Sequence, residues 1–221
     1  METTPYLITT YYVLILNSIL TLALLLLLKL GKANKATILL TGIIAFSYLL
    51  FEHWALGGAH IFSNDISGTT FFIIILAGAT LGVGLLNLTL RKSFFNLSQD
   101  QLQMTQGLRV FVSAGFFTEA ALGIIPLEFG IMDGFMHALS AFSALIAATL
   151  FVKQSPLKNT ILWIANIIGV IDILIIVTCI CFWVWKDIGP HHNMQYVVFF
   201  GGIVFLWIHY ISIYKLLNHH K

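Results

Sequence analysis

Five ionisable side chains, Glu119, Asp133, His137, Asp172 and His209, lie inside long apolar runs of this chain, with the amide of Asn166 among them. A polar group surrounded by apolar residues needs a partner or a cavity, so these positions are where chemistry is expected. Glu119 has Gly115 and Gly123 on its helix face, at i−4 and i+4. Small residues there let a neighbouring backbone or a ligand approach the carboxylate. It reads as a proton carrier, a cation ligand or an acid–base residue, or as a protonated acid bonded to a neighbouring helix.

Asp133 and His137 are spaced i and i+4, which puts them on one helix face, continued by Ser140 and Ala144. A carboxylate can orient and charge an imidazole, so the pair suits a proton relay or two ligands of a metal. The bland reading is that Asp133 caps a helix start after the break at Gly130. Asp172 has Ala165 and Gly169 on its face, at i−7 and i−3. Glu119 and Asp172 are expected to share one polar cavity as exchangeable proton sites. His209 shares a face with Gly202, Phe205 and Ser212, and it falls at the depth of Asn166, within reach of a hydrogen bond. Asn17 with Thr21, and Gly78 with Gly82, read as helix-packing devices.

Glu52, His53, His60, His191 and His192 cluster in the sequence near breaks between the apolar runs. With His137 they are the weaker candidates for a metal or haem, and the cofactor stays open. Cys179 and Cys181, at i and i+2, point in different directions and read as fillers. Retinal chemistry needs a lysine within a span, and the last run has none before Lys215. No zinc-protease motif, nucleophile elbow or phosphate loop occurs, and no basic cluster suggests nucleic acid.

The elements that must position these groups are membrane helices. Of 221 residues, 59% are hydrophobic and only 9% charged, against about 25% charged in an average soluble domain. Continuous rather than alternating apolar runs exclude a barrel. The runs predict an all-α polytopic membrane bundle, one domain over 1–221, with seven spans at 6–30, 36–56, 69–90, 110–126, 131–152, 159–185 and 195–217. The first run is expected to be retained, because Met1–Thr10 lacks a basic region and a cleavage site. The polar connection between Arg91 and Arg109 reads as a short surface helix.

The basic residues orient the bundle. Lys29, Lys32, Lys35, Arg91, Lys92, Arg109, Lys153, Lys158, Lys215 and Lys221 fall on one side, and only Lys186 on the other. The positive-inside rule makes the first side cytoplasmic, with the N-terminus outside and the C-terminus inside. Glu2, Glu52, His53, His60, Asp65, Glu128, Asp187, His191 and His192 then lie outside, with Trp54, Trp183 and Trp185 near that interface. The lipid bilayer is the expected partner, together with a small-molecule or ion ligand.

Spans 4 to 7 resemble a family of small, uncharacterised bacterial integral membrane proteins. The matching segments are LRVFVSAGFF from Leu108 to Phe117, IPLEFGIMD from Ile125 to Asp133, NIIGVID from Asn166 to Asp172, and WIHYISIYKL around His209. The resemblance implies a bacterial inner membrane but no activity. The family carries an aliphatic residue at the position of Glu119, so no shared role is implied there.

Three functions compete. Ionisable groups at successive depths suit a transporter or channel-like conduit for a small solute or ion, coupled to protons. Paired acids in an apolar pocket suit a membrane enzyme acting on a lipid or isoprenoid. Converging imidazoles suit a metal or haem binder.

Overall fold

The computed structural model describes residues 4–218. Glu2 and Lys221, counted above in orienting the chain, lie outside the described residues. The described chain is helical, with no strand. Its helices are α1 Thr4–Leu30, α2 Lys35–His53, α3 Gly68–Phe95, α4 Gln99–Gln106, α5 Arg109–Ala121, α6 Leu127–Val152, α7 Lys158–Phe182, α8 Trp185–Ile188, α9 Met194–Tyr196 and α10 Ile203–Asn218. π-helical turns at Trp54–Gly58 and Val197–Gly202 extend α2 and join α9 to α10.

Among the described residues, six helical segments are long and apolar enough to cross a bilayer: Tyr6–Leu30, Lys35–Gly58, Gly68–Phe95, Leu127–Val152, Lys158–Phe182 and Met194–Asn218. Their surfaces invert the soluble pattern. Leu39, Leu50, Ile73, Leu81, Leu88 and Phe135 are exposed, while Asn17, Arg109, Glu119, Asp133, Asn166 and Asp172 are buried. Exposed aliphatic faces around an interior in which polar groups are buried within an apolar core suit a lipid surround.

The fourth expected span, 110–126, differs. α5 has 13 residues, which reach about 20 Å, short of a hydrocarbon core of about 30 Å. The connection before it, expected to be a surface helix, is not on the surface. α4 is buried in the bundle through Gln99, Leu102, Gln103 and Gln106. From Gln99 to Ala121 the chain reaches roughly 34 Å at about 1.5 Å per residue. The helix tightens around Gly107, where Leu108 and Val110 bond back three residues rather than four. A Cβ on Gly107 would press into the side chain of Leu145, so α4 and α6 come close only because residue 107 has none.

Local chemistry sets the helix starts. Asn34 accepts from the Thr37 N–H at 2.8 Å at the head of α2. Ser67 accepts from the Thr70 N–H at 3.1 Å at the head of α3. The Gln101 side chain reaches back to the Ser98 N–H at 2.9 Å and starts α4. Asn17, expected as a packing device, donates to the Tyr196 carbonyl at 2.9 Å, where the backbone enters its π-helical turn.

Candidate functional site

Contacts along α4 and α5 run backwards along α10. Gln99 donates to the Ser212 carbonyl at 3.0 Å, Gln106 to the Phe205 carbonyl at 3.0 Å, and Glu119 meets Asn193, just before α9. The α4–α5 rod is therefore antiparallel to α10 and carries polar groups at every level. The structure divides them into an inner lattice, a charged cluster and an outer cluster.

The inner lattice is amide-rich and largely satisfied. The Ser212 hydroxyl donates to Gln99 Oε1 at 2.8 Å and accepts from Asn166 Nδ2 at 2.9 Å and Gln103 Nε2 at 3.1 Å. Asn166 also donates to the Leu162 carbonyl at 2.8 Å. Its Oδ1 lies 2.9 Å from His209 Nδ1. On the other side of that ring, Nε2 lies 3.2 Å from Arg109 Nη1. A guanidinium only donates, so Nε2 accepts, Nδ1–H faces Asn166, and His209 is a neutral imidazole in one tautomer. Asn166 and His209, expected within reach of each other, are thus joined in a fixed polar brace.

Arg109 carries the lattice into the charged cluster. It is fully buried, not at the interface where its charge was counted. One guanidinium nitrogen donates to the Gly169 carbonyl at 3.0 Å and faces His209. The other reaches Asp172 Oδ2 at 2.5 Å. His137 Nδ1 lies 2.9 Å from that same oxygen, and His137 Nε2 lies 3.8 Å from Asp133 Oδ2. Arg109, Asp172, His137 and Asp133 therefore form a chain of ion-pair contacts across α5, α7 and α6. Phe205 lies against the guanidinium and Phe116 against the His137 ring.

Hydrogen bonding in this cluster is incomplete. Both carboxylate oxygens of Asp133, both ring nitrogens of His137, Asp172 Oδ1 and Ser140 Oγ are buried with no aligned hydrogen-bond partner. Asp133 faces the interior and is not a helix-start cap, since α6 begins six residues earlier, at Leu127. The donor atoms of Asp133, His137 and Asp172 lie within 4.8 Å of one another, the one such group of three among the described residues. Arg109 already sets a fixed positive charge on Asp172 Oδ2, which opposes a metal cation there. A cavity of about 40 Å³ beside Arg109 and His137 is walled mainly by aliphatic side chains such as Ile75, Val112, Ile173 and Ile203. It has room for water but not for a lipid or an isoprenoid.

Glu119 is not in this cluster, against the expectation that it shares a cavity with Asp172. It sits ten residues beyond Arg109 on α5, about 15 Å along the axis. Glu119 Oε1 accepts from Asn193 Nδ2 at 2.6 Å, and the same amide donates to Thr9 Oγ1 at 2.8 Å. The Asn193 N–H donates to the Tyr6 hydroxyl at 3.0 Å. Above this outer cluster opens a vestibule of about 830 Å³, lined by Tyr6, His60, Gly123, Gly189, His191 and His192 among others.

The outer histidines do not converge. His60 and His191 pack ring to ring at 4.4 Å, and His191 Nε2 donates to the Phe62 carbonyl at 2.7 Å. His192 faces Tyr6 instead, and its Nδ1 accepts from the Met194 N–H at 3.2 Å. Burial pushes the His192 imidazole down to about 4, so it stays neutral. His53 packs on Tyr196, and Glu52 is buried on α2 with Oε1 unpartnered.

Arg109 and the glutamines of α4 are the site residues that sequence reasoning missed. A signal was present: Gln99, Gln103 and Gln106 recur at helical spacing immediately before Arg109, which marks a polar helix face rather than a loop. Comparison with family models, with curated proteins and with solved structures finds no match to this chain.

Proposed function

We propose that this chain is a seven-span membrane protein, with its N-terminus outside and its C-terminus in the cytoplasm, that moves a small solute or ion coupled to proton exchange at Asp133 and His137. The α4–α5 rod is the fourth span in this reading. The resemblance of spans 4 to 7 to small bacterial membrane proteins supports the bacterial inner membrane as its location.

One observation carries the proton reading. His209 and Asn166 are held by hydrogen bonds on both sides, but Asp133 and His137 are buried, ionisable and short of hydrogen bonds. Charge balance gives this contrast a meaning. An arginine keeps its proton, so Arg109 and Asp172 form a fixed pair. Asp133 and His137 must then share one further proton if the cluster is to stay neutral at membrane depth, where net charge is costly. Moving that proton between them takes a side-chain rotation across 3.8 Å. Two alternatives are less well supported: a lipid substrate has no room beside the cluster, and Arg109 competes with a metal.

The test is proton flux in reconstituted vesicles under an imposed pH gradient, read with a pH-sensitive dye. The wild-type protein should carry protons, and Asp133→Asn should abolish the flux while leaving detergent stability nearly unchanged. Flux no greater than that of empty vesicles across a panel of candidate co-ions, or full flux in Asp133→Asn, would refute the reading.

A further inference from the structure

We propose that Glu119, Asn193 and Thr9, beneath the outer vestibule, form a binding site for a small monovalent cation of the sodium type. The donors decide the class of ligand. Glu119 Oε2 and Asn193 Oδ1 are buried oxygens without hydrogen-bond partners, and neither residue has measurable exposure. Asn193 is oriented by its own bonds: its Nδ2 is committed to Glu119 and Thr9, which leaves Oδ1 as a bare acceptor. Thr9 Oγ1 donates its proton to the Tyr6 carbonyl at 3.0 Å and keeps a lone pair for a ligand. A carboxylate, an amide oxygen and a hydroxyl make an all-oxygen set, which suits a hard cation and not a thiophilic or imidazole-seeking metal.

Charge decides the valence. The cluster holds one carboxylate, and among the described residues Glu119 takes part in no ion pair. One monovalent ion neutralises it. A divalent ion would leave a net positive charge in an apolar setting, where it is costly. The ionisable groups around the cluster are the Tyr6 hydroxyl from α1 and His192 from the segment before α9, with His191 and His60 higher in the vestibule. The imidazole of His192, neutral through burial, supplies no competing cation.

Access follows from the lining. Tyr6 and His192 belong both to the vestibule wall and to the neighbourhood of Asn193. Leu122 and Gly123, one turn above Glu119 on the same rod, also line it. α5 ends there, and Gly123, at a φ of 68°, has open space where a side chain would be. Glu119, Asn193 and Thr9 do not line the vestibule themselves, so an ion entering from outside must pass the Tyr6 and His192 side chains to reach them. The site stands apart from Asp133 and His137, so it does not depend on proton exchange at those residues.

The test uses the purified full chain in detergent at fixed pH and ionic strength. Thermal unfolding with sodium chloride is compared with choline chloride, and binding of radioactive sodium is measured directly. We expect a saturable sodium-specific stabilisation and one ion per chain. Glu119→Gln should weaken binding at least ten-fold, and Asp133→Asn should leave it unchanged. Should Glu119→Gln fold poorly, sodium should still protect wild-type Glu119 from modification by a hydrophobic carbodiimide, read by mass spectrometry. Absence of sodium binding in the wild type would overturn the proposal, as would retention in Glu119→Gln or loss in Asp133→Asn alone. None of these results bears on proton flux through Asp133.

Discussion

Gly169 on α7 packs so closely against the imidazole of His209 on α10 that a methyl group at position 169 would overlap the ring. The same glycine offers its carbonyl to Arg109, so one bare backbone position sets the place of both side chains.

Gly169→Ala should therefore displace His209 and loosen Arg109. Overpacking of this kind costs about 1–3 kcal/mol, and detergent melting should show it as a clear drop. Gly84→Ala is the control, since nothing lies within 4 Å of a Cβ there. It should leave stability unchanged or raise it by up to about 1 kcal/mol, because alanine is the better helix former. Equal effects of the two substitutions would contradict the close approach.

Arg109 and Asp172 should behave as a coupled pair. Removing either partner alone leaves a buried charge uncompensated, at a cost of about 3–5 kcal/mol. Arg109→Met should thus be severely destabilised, and Arg109→Met combined with Asp172→Leu should recover much of the loss. Arg109→Lys should not rescue, because a point ammonium cannot serve Gly169, His209 and Asp172 together. A double-mutant cycle in a detergent unfolding assay measures the coupling, and additive losses would argue against the pair.

His192 should make stability fall in acid. Its imidazole is pushed from the ordinary 6.5 to about 4 by burial. Between those values the unfolded chain binds a proton that the folded chain refuses, so stability is full above about pH 6.5 and declines as pH drops toward 4. The slope is about 1.4 kcal/mol per pH unit, or about 3 kcal/mol in all. His192→Gln should flatten this part of the stability profile, and an unchanged profile would remove His192 as its source.

The orientation is checked by single cysteines probed with an impermeant thiol reagent in a background lacking Cys179 and Cys181. Cysteines at Lys35, Lys92 and Lys158 should be protected in intact cells, and one at Asn64 should react. Reaction at Lys158 from outside would break the seven-span topology.

Six long helices were legible because each run is long, apolar and bounded by charge, glycine or proline. The α4–α5 rod was legible only in part: its apolar half reads as a fourth span, while its glutamine-rich first half reads as a surface connection because its composition is that of an exposed helix. Asp133 and His137 were visible from their i, i+4 spacing, since a local helix sets their geometry. Their link to Asp172 was not visible, because α6 and α7 meet only through tertiary packing. Arg109 was read as a membrane-edge cation because sequence gives its position along the chain and not the buried carboxylate that receives it. Glu119 and Asp172 were placed together on depth and small neighbours alone. In the structure Glu119 is bonded to Asn193, on the far side of a loop that no periodicity announces.

The proton on Asp133 and His137 is tested most directly by infrared difference spectroscopy of the reconstituted protein across a pH titration. A protonated carboxyl has a carbonyl stretch that an ionised one lacks. We expect a carboxyl band that changes reversibly with pH, is lost in Asp133→Asn, and is perturbed in His137→Gln. A spectrum in which no carboxyl band titrates, or in which Asp133→Asn leaves the titrating band in place, would contradict proton exchange at this pair.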